Sequence, residues 1–176
     1  LIEELQPEMI LGNHDDRLMS QLRDHREGKK PKFHQPDQAS VLEALLPEAC
    51  ELLGWLESLP LYIREEEFLL VHAGINPELG IDGTSRNEFL SIRTWPPRKG
   101  VEGPRWHDHY VNDADDQVLI FGHDAPGGLV VRSDATGSPY LVGLDSGCIY
   151  GGELTAFILE EERFVQVDSR QGVRRS

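Results

Sequence analysis

Three apolar runs in this chain stop in the same way. MILGNHD (9–15), FLLVHAG (68–74) and LIFGHD (119–124) each pass from aliphatic side chains to a histidine beside a glycine or one residue from it. A strand carries its terminal residues out past the sheet edge. A glycine there lets the backbone turn sharply and come close to an ion or a phosphate. Three such strands side by side gather Asn13, His14, His72 and His123 at one rim, with Gly12, Gly74 and Gly122 beneath them.

The rest of the chain supplies the frame. EMIL (8–11) reads as a short strand, and DDRLMSQLRDHREG (15–28) as a helix, acidic at its start and basic at its end as the helix dipole prefers. A leucine-rich helical stretch over 39–60 is broken by Pro47 and closed by Pro60. From there the texture changes. Residues 61–64 and 68–72 read as a hairpin, 85–93 as a short helix, and 117–123, 128–132, 139–145, 152–159 and 163–168 as strands between turns. Helices crowd the first third and strands the rest, which predicts a layered α/β chain with mixed sheets rather than strict βαβ alternation.

With 176 residues the chain suits one domain, 1–176, with a sizeable core. Its 17 basic and 31 acidic residues leave a net charge of −14, a surface that repels nucleic acid and anionic membranes. It does not forbid a small anionic substrate where cations line the site. Two cysteines, Cys50 and Cys148, make no disulfide framework and predict a reducing, cytoplasmic setting. Both are expected to be structural. No apolar run reaches the length of a membrane span.

Imidazole nitrogens suit first-row divalent metals, and an amide oxygen adds a neutral hard ligand. Asn13, His72 and His123 are therefore the candidate metal ligands. His25 and His34 lie in polar helix and loop. His107 and His109, in RWHDHY, are expected in a loop or at a substrate contact.

Taken in order, the three strand ends resemble the metallophosphoesterases, in particular the phosphoprotein-phosphatase-like branch, which carries GNH(D/E), then HAG, then GH. The tail GLDSGCIYGGELTAFIL (143–159), together with FLSIRTW, is similar to the symmetrical bis(5′-nucleosyl)-tetraphosphatase subgroup. The resemblance implies a calcineurin-like sandwich of two mixed β-sheets flanked by helices. It implies a phosphohydrolase acting on dinucleoside polyphosphates such as diadenosine tetraphosphate through two divalent ions, manganese first, with iron, zinc, cobalt or nickel as alternatives. His14 becomes the catalytic histidine that donates a proton to the leaving group or contacts the phosphate. Arg93 becomes a phosphate-binding arginine. Tyr150 is the candidate platform for a base, and Asp145 a supporting carboxylate or a turn-former.

The departures matter as much. The family's Gly-Asp-x-His-Gly and Gly-Asp-x-x-Asp-Arg-Gly motifs are absent from these residues, so the chain is expected to be an N-terminally truncated domain holding half a site. Asp124 stands where the family often has threonine. Leu11 stands where eukaryotic protein phosphatases carry arginine, which leans away from a protein serine/threonine phosphatase, the alternative of the same fold. An alternative of another class is a non-catalytic fragment or interaction domain. Metal identity, exact substrate and oligomeric state are left open by the sequence.

Overall fold

The computed structural model describes residues 2–97, 102–112 and 117–170. The chain divides into two compact units, Leu1–Leu61 and Tyr62–Ser176.

The first unit is helical. After a single turn, α1 (Ile2–Leu5), the chain runs extended to Gly12 and enters α2 (Asn13–Arg26). Then come α3 (Gln38–Leu45), a 3-10 turn at Leu46–Glu48, and α4 (Ala49–Ser58). The proline break expected at Pro47 is this 3-10 turn. Met19 and Leu22 of α2, Leu42 of α3 and Leu53 and Leu56 of α4 are buried together with Leu11. Gln21 is buried among them and is satisfied. Its Nε2 donates to the Lys32 carbonyl at 2.8 Å and to Gln38 Oε1 at 3.3 Å.

The strand expected at 8–11 does not form among the described residues. A strand needs a ladder in which both partners donate and accept. Here Leu11 N–H donates to the Pro60 carbonyl at 2.8 Å, and Pro60 has no N–H to return. The helix also begins two residues earlier than expected, so Asn13 and His14 lie in its first turn and not on a strand tip.

The second unit is built on strands. Its main sheet has the order β1 (Tyr62–Arg64), β2 (Phe68–Val71), β3 (Val118–Phe121), β5 (Pro139–Gly143), β4 (Val130–Ser133). The three central strands β2, β3 and β5 are parallel, and the two edge strands are antiparallel to their neighbours. Two short helices, α5 (Gly80–Gly83) and α6 (Arg86–Ser91), lie in the connection from β2 to β3. The second sheet is the antiparallel pair β6 (Glu153–Ile158) and β7 (Arg163–Asp168), smaller than the mixed sheet the resemblance implies.

Alternation along β2 and β3 turns Leu69, Val71, Leu119 and Phe121 inward, while Leu141 and Val142 of the central β5 are both buried. Trp106, with no exposed surface, packs edge-on against Phe121 at 5.1 Å between ring centroids. Its indole N–H donates to the Ala73 carbonyl at 3.1 Å. The indole also fills the space above Gly74, where a Cβ would lie 2.3 Å from Trp106 Cε2. The middle residue and the glycine of His-Ala-Gly are thus fixed by one side chain from a distant, irregular segment.

Candidate functional site

Because β2, β3 and β5 run parallel, their carboxyl ends share one edge of the sheet, the edge where open α/β sheets bind ligands. His72 follows β2 directly, Gly122 and His123 follow β3, and Asp145 lies two residues beyond β5. The backbone ties these tips together. Gly122 N–H donates to the His72 carbonyl at 2.9 Å, and Leu144 N–H to the Phe121 carbonyl at 2.8 Å.

His72 Nε2 and His123 Nδ1 are 3.2 Å apart, with ring centroids at 4.9 Å and planes inclined by 58°. Two imidazole nitrogens bound to one cation at about 2.1 Å stand about 3.0 Å apart at a right angle and about 3.4 Å apart at a tetrahedral angle. The two nitrogens stand within hydrogen-bond distance of each other, and their spacing also falls between these two values, so it is compatible with a divalent ion held by both rings. Both rings are half-buried. His123 holds its place with a left-handed backbone, φ +70°, a conformation uncommon for any residue but glycine. Among the described residues, no group of three histidine, cysteine, aspartate or glutamate side chains is placed to hold a metal.

Arg93 is drawn to the same tip. Its Nη2 donates to the His123 carbonyl at 3.1 Å, and its Nε lies 3.7 Å from Asp124 Oδ1. On the other carboxylate oxygen, Arg105 Nε approaches Asp124 Oδ2 to 3.0 Å. Asp124 is 4% exposed. Burial pushes its carboxyl above the usual range, Arg105 and Arg93 draw it back, and Asp145 pushes it up again. The segments that carry the two arginines are joined by backbone. Trp106 N–H donates to the Arg93 carbonyl at 3.0 Å, and Thr94 bridges Arg105.

Asp145 Oδ1 accepts from Gly147 N–H at 3.2 Å and shapes the turn after β5. Tyr150 stands exposed in the 3-10 turn Cys148–Tyr150 that follows, between Gly147 and Gly151, both left-handed. Cys148 is half-buried and Cys50 is exposed on α4, and both are free thiols.

His107 departs from expectation. It is neither a loop residue nor a surface contact but a core histidine, 6% exposed, lying against Trp106 and Phe121. Burial pushes its pKa from 6.5 down to about 4, with nearby Asp108 opposing and Arg132 and Arg105 reinforcing the shift. His109 is exposed in the next turn.

Asn13 and His14 belong to the first unit. Gly12 caps α2 in an extended conformation, and its N–H donates to Asp15 Oδ2 at 2.9 Å. Asn13 is half-buried and His14 exposed. His14 lines a cleft of about 230 Å³ with Leu18, Gln35 and Gln38. The structure thus brings His72, His123 and Arg93 together and adds Asp124 and Arg105. No local sequence signal marks Arg105, which follows a proline in an aperiodic segment.

The fold is that of a solved crystal structure described as a "putative diadenosine tetraphosphatase". The match covers 97% of this chain and 72% of that one, with a TM-score of 0.69 at 24% identity. In sequence, the chain is similar to proteins named symmetrical bis(5′-nucleosyl)-tetraphosphatase. That of Dechloromonas aromatica is 28% identical, over 96% of this chain and 78% of its own length. That of Aromatoleum aromaticum is 29% identical, over 90% and 74%, and that of Vibrio cholerae 26% identical, over 89% and 75%. No protein-family model matches the chain. No helix among the described residues is long and apolar enough to cross a membrane.

Proposed function

We propose that this chain supplies the histidine side of a metal-dependent phosphohydrolase site acting on dinucleoside polyphosphates of the diadenosine tetraphosphate kind. The observation that carries the reading is the 3.2 Å spacing of His72 Nε2 and His123 Nδ1, at adjacent tips of parallel strands. The names of the relatives supply the substrate class.

In this reading His72 and His123 would hold a divalent ion, manganese first, and the ligand role of the Asn13 amide is what the GNH resemblance implies for the first unit. A second ion requires carboxylates of the kind carried by the two aspartate motifs that residues 1–176 do not contain. Divalent ions at such a site neutralise phosphate charge and make a bound water more acidic. The remaining work falls to side chains of this chain. Arg93, bonded to the His123 carbonyl at 3.1 Å, orients a phosphate. His14 holds a proton for the departing phosphate oxygen. Exposed Tyr150 offers a face to a base.

The test is hydrolysis of diadenosine tetraphosphate with manganese, by residues 1–176 alone and by the same residues joined to a segment carrying the two aspartate motifs. Turnover to two molecules of ADP is expected only from the joined form. Phosphopeptide hydrolysis that outruns it would replace this reading with the protein-phosphatase one. No turnover on either substrate would favour an interaction domain.

A further inference from the structure

Asp124 holds two guanidiniums at once. Arg105 Nε is 3.0 Å from Oδ2 and Arg93 Nε is 3.7 Å from Oδ1. The carboxylate is 4% exposed, while the arginine side chains are 28% (Arg93) and 18% (Arg105) exposed. Both guanidiniums keep part of their surface open to solvent, and Asp124 anchors them side by side beside the His123 tip. Paired guanidiniums suit phosphate, whose oxygens match their planar fork. The place is also specific, since Arg93 is bonded to the carbonyl of His123 and Asp124 is the next residue.

The carboxylate is itself wedged. The turn Ala125–Gly127 folds back on it, with Gly127 N–H donating to the Asp124 carbonyl at 2.7 Å. A Cβ at Gly127 would lie 2.7 Å from Asp124 Oδ2. Glycine at this position lets the side chain reach both arginines.

We propose that Asp124 is a positioning residue that sets Arg93 and Arg105 as a paired subsite for one substrate phosphate, and that Arg105 contacts that phosphate directly. This rests on the phosphohydrolase reading and adds to it a residue the strand-end motifs do not contain. Asp124 and Arg105 lie 19 positions apart, and their pairing is made by the fold.

The probe is inorganic pyrophosphate, titrated calorimetrically into residues 1–176 without added metal, with thermal melting followed on each variant. A charged hydrogen bond to phosphate is lost in Arg105→Gln, so affinity should fall roughly tenfold or more. Gly127→Ala keeps all three charges but displaces the carboxylate, and should weaken binding in the same direction. Asp124→Asn should do so too. Combining Asp124→Asn with Arg105→Gln should cost less than the two losses multiplied, because the residues act as one unit.

If Arg93→Gln weakens pyrophosphate binding while Arg105→Gln and Gly127→Ala leave it unchanged, the paired subsite is overturned and the broader reading stands. If Arg93→Gln is also without effect, phosphate does not bind here, and both fall. Lower melting temperatures with affinity intact would assign Asp124 a purely structural role and overturn the proposal.

Discussion

The strings at 12–14 and at 122–123 look alike, each an apolar run ending in glycine and histidine, yet they fold differently. At 122–123 the run is a central strand with parallel neighbours on both sides, and His123 is delivered to within 3.2 Å of another histidine. At 12–14 the run has one backbone bond, from Leu11 to Pro60, and its asparagine and histidine become the first turn of a helix. The motif is local, but its conformation is set by what pairs with the apolar residues before it. In the second unit that partner is another strand. In the first it is a proline that can only accept.

The comparison can be broken first through metal. Residues 1–176 should take up at most one divalent ion, and His72→Ala or His123→Ala should abolish that uptake, read by elemental analysis after equilibration with manganese. Asn13→Ala tests separately the ligand role that the GNH resemblance implies, for which loss of one neutral ligand bond is worth roughly tenfold in affinity. Full uptake in Asn13→Ala would separate the helix-borne asparagine from the strand-borne histidines. Uptake of two ions by the unaltered chain would show that Asp15, Asp124 or Asp145 supplies the bridging carboxylate.

The same substitution at matched glycines sharpens the contrast. Gly74→Ala puts a Cβ 2.3 Å from the buried Trp106 ring, and should destabilise the second unit by about 3 kcal/mol in urea unfolding, in the range of overpacked cores. Gly12→Ala exchanges one helix cap for a poorer one and should cost only about 0.5–1 kcal/mol. Equal effects would mean that the two glycines do the same job.

Acid should act on the second unit through His107. The unfolded imidazole takes its proton near pH 6.5 and the folded one only near 4. The unfolded state therefore binds more protons between those values. Stability is full above pH 6.5, falls as pH drops through the window and levels off below 4. The loss is on the order of 3 kcal/mol. His107→Phe should flatten the dependence of urea midpoint on pH across this window. An unchanged slope would assign the acid sensitivity to other groups. An effect as small as that of Gly12→Ala is expected at Asp15, which accepts from Gly12 N–H. Asp15→Ala should cost the first unit about 1 kcal/mol.

Much of the frame was legible because it is written in local chemistry. Each strand from β1 to β7 lies at an expected position, since turn residues punctuate every one. Pro47 marked its break for the same reason. The meeting of His72 and His123 was legible because both end strands, and parallel neighbours bring strand ends together. What escaped was long-range. The failure of 8–11 to form a strand depends on Pro60, the burial of His107 depends on Trp106 and Phe121, and Asp124 gains its meaning only when Arg105 arrives from an aperiodic segment. Periodicity reports which face of an element is buried, but not which distant charge will meet it.

His123 sits at φ +70°, where a side-chain-bearing residue is held at a cost on the order of 1 kcal/mol or more. Glycine would be comfortable there. The change that most relaxes this backbone, His123→Gly, therefore also erases a nitrogen donor. Engineering or selection that ranks variants of this chain by heat resistance alone would be drawn toward that change, and would lose the site while improving the score. A screen meant to keep the proposed metal chemistry has to weigh metal uptake alongside melting temperature from its first round.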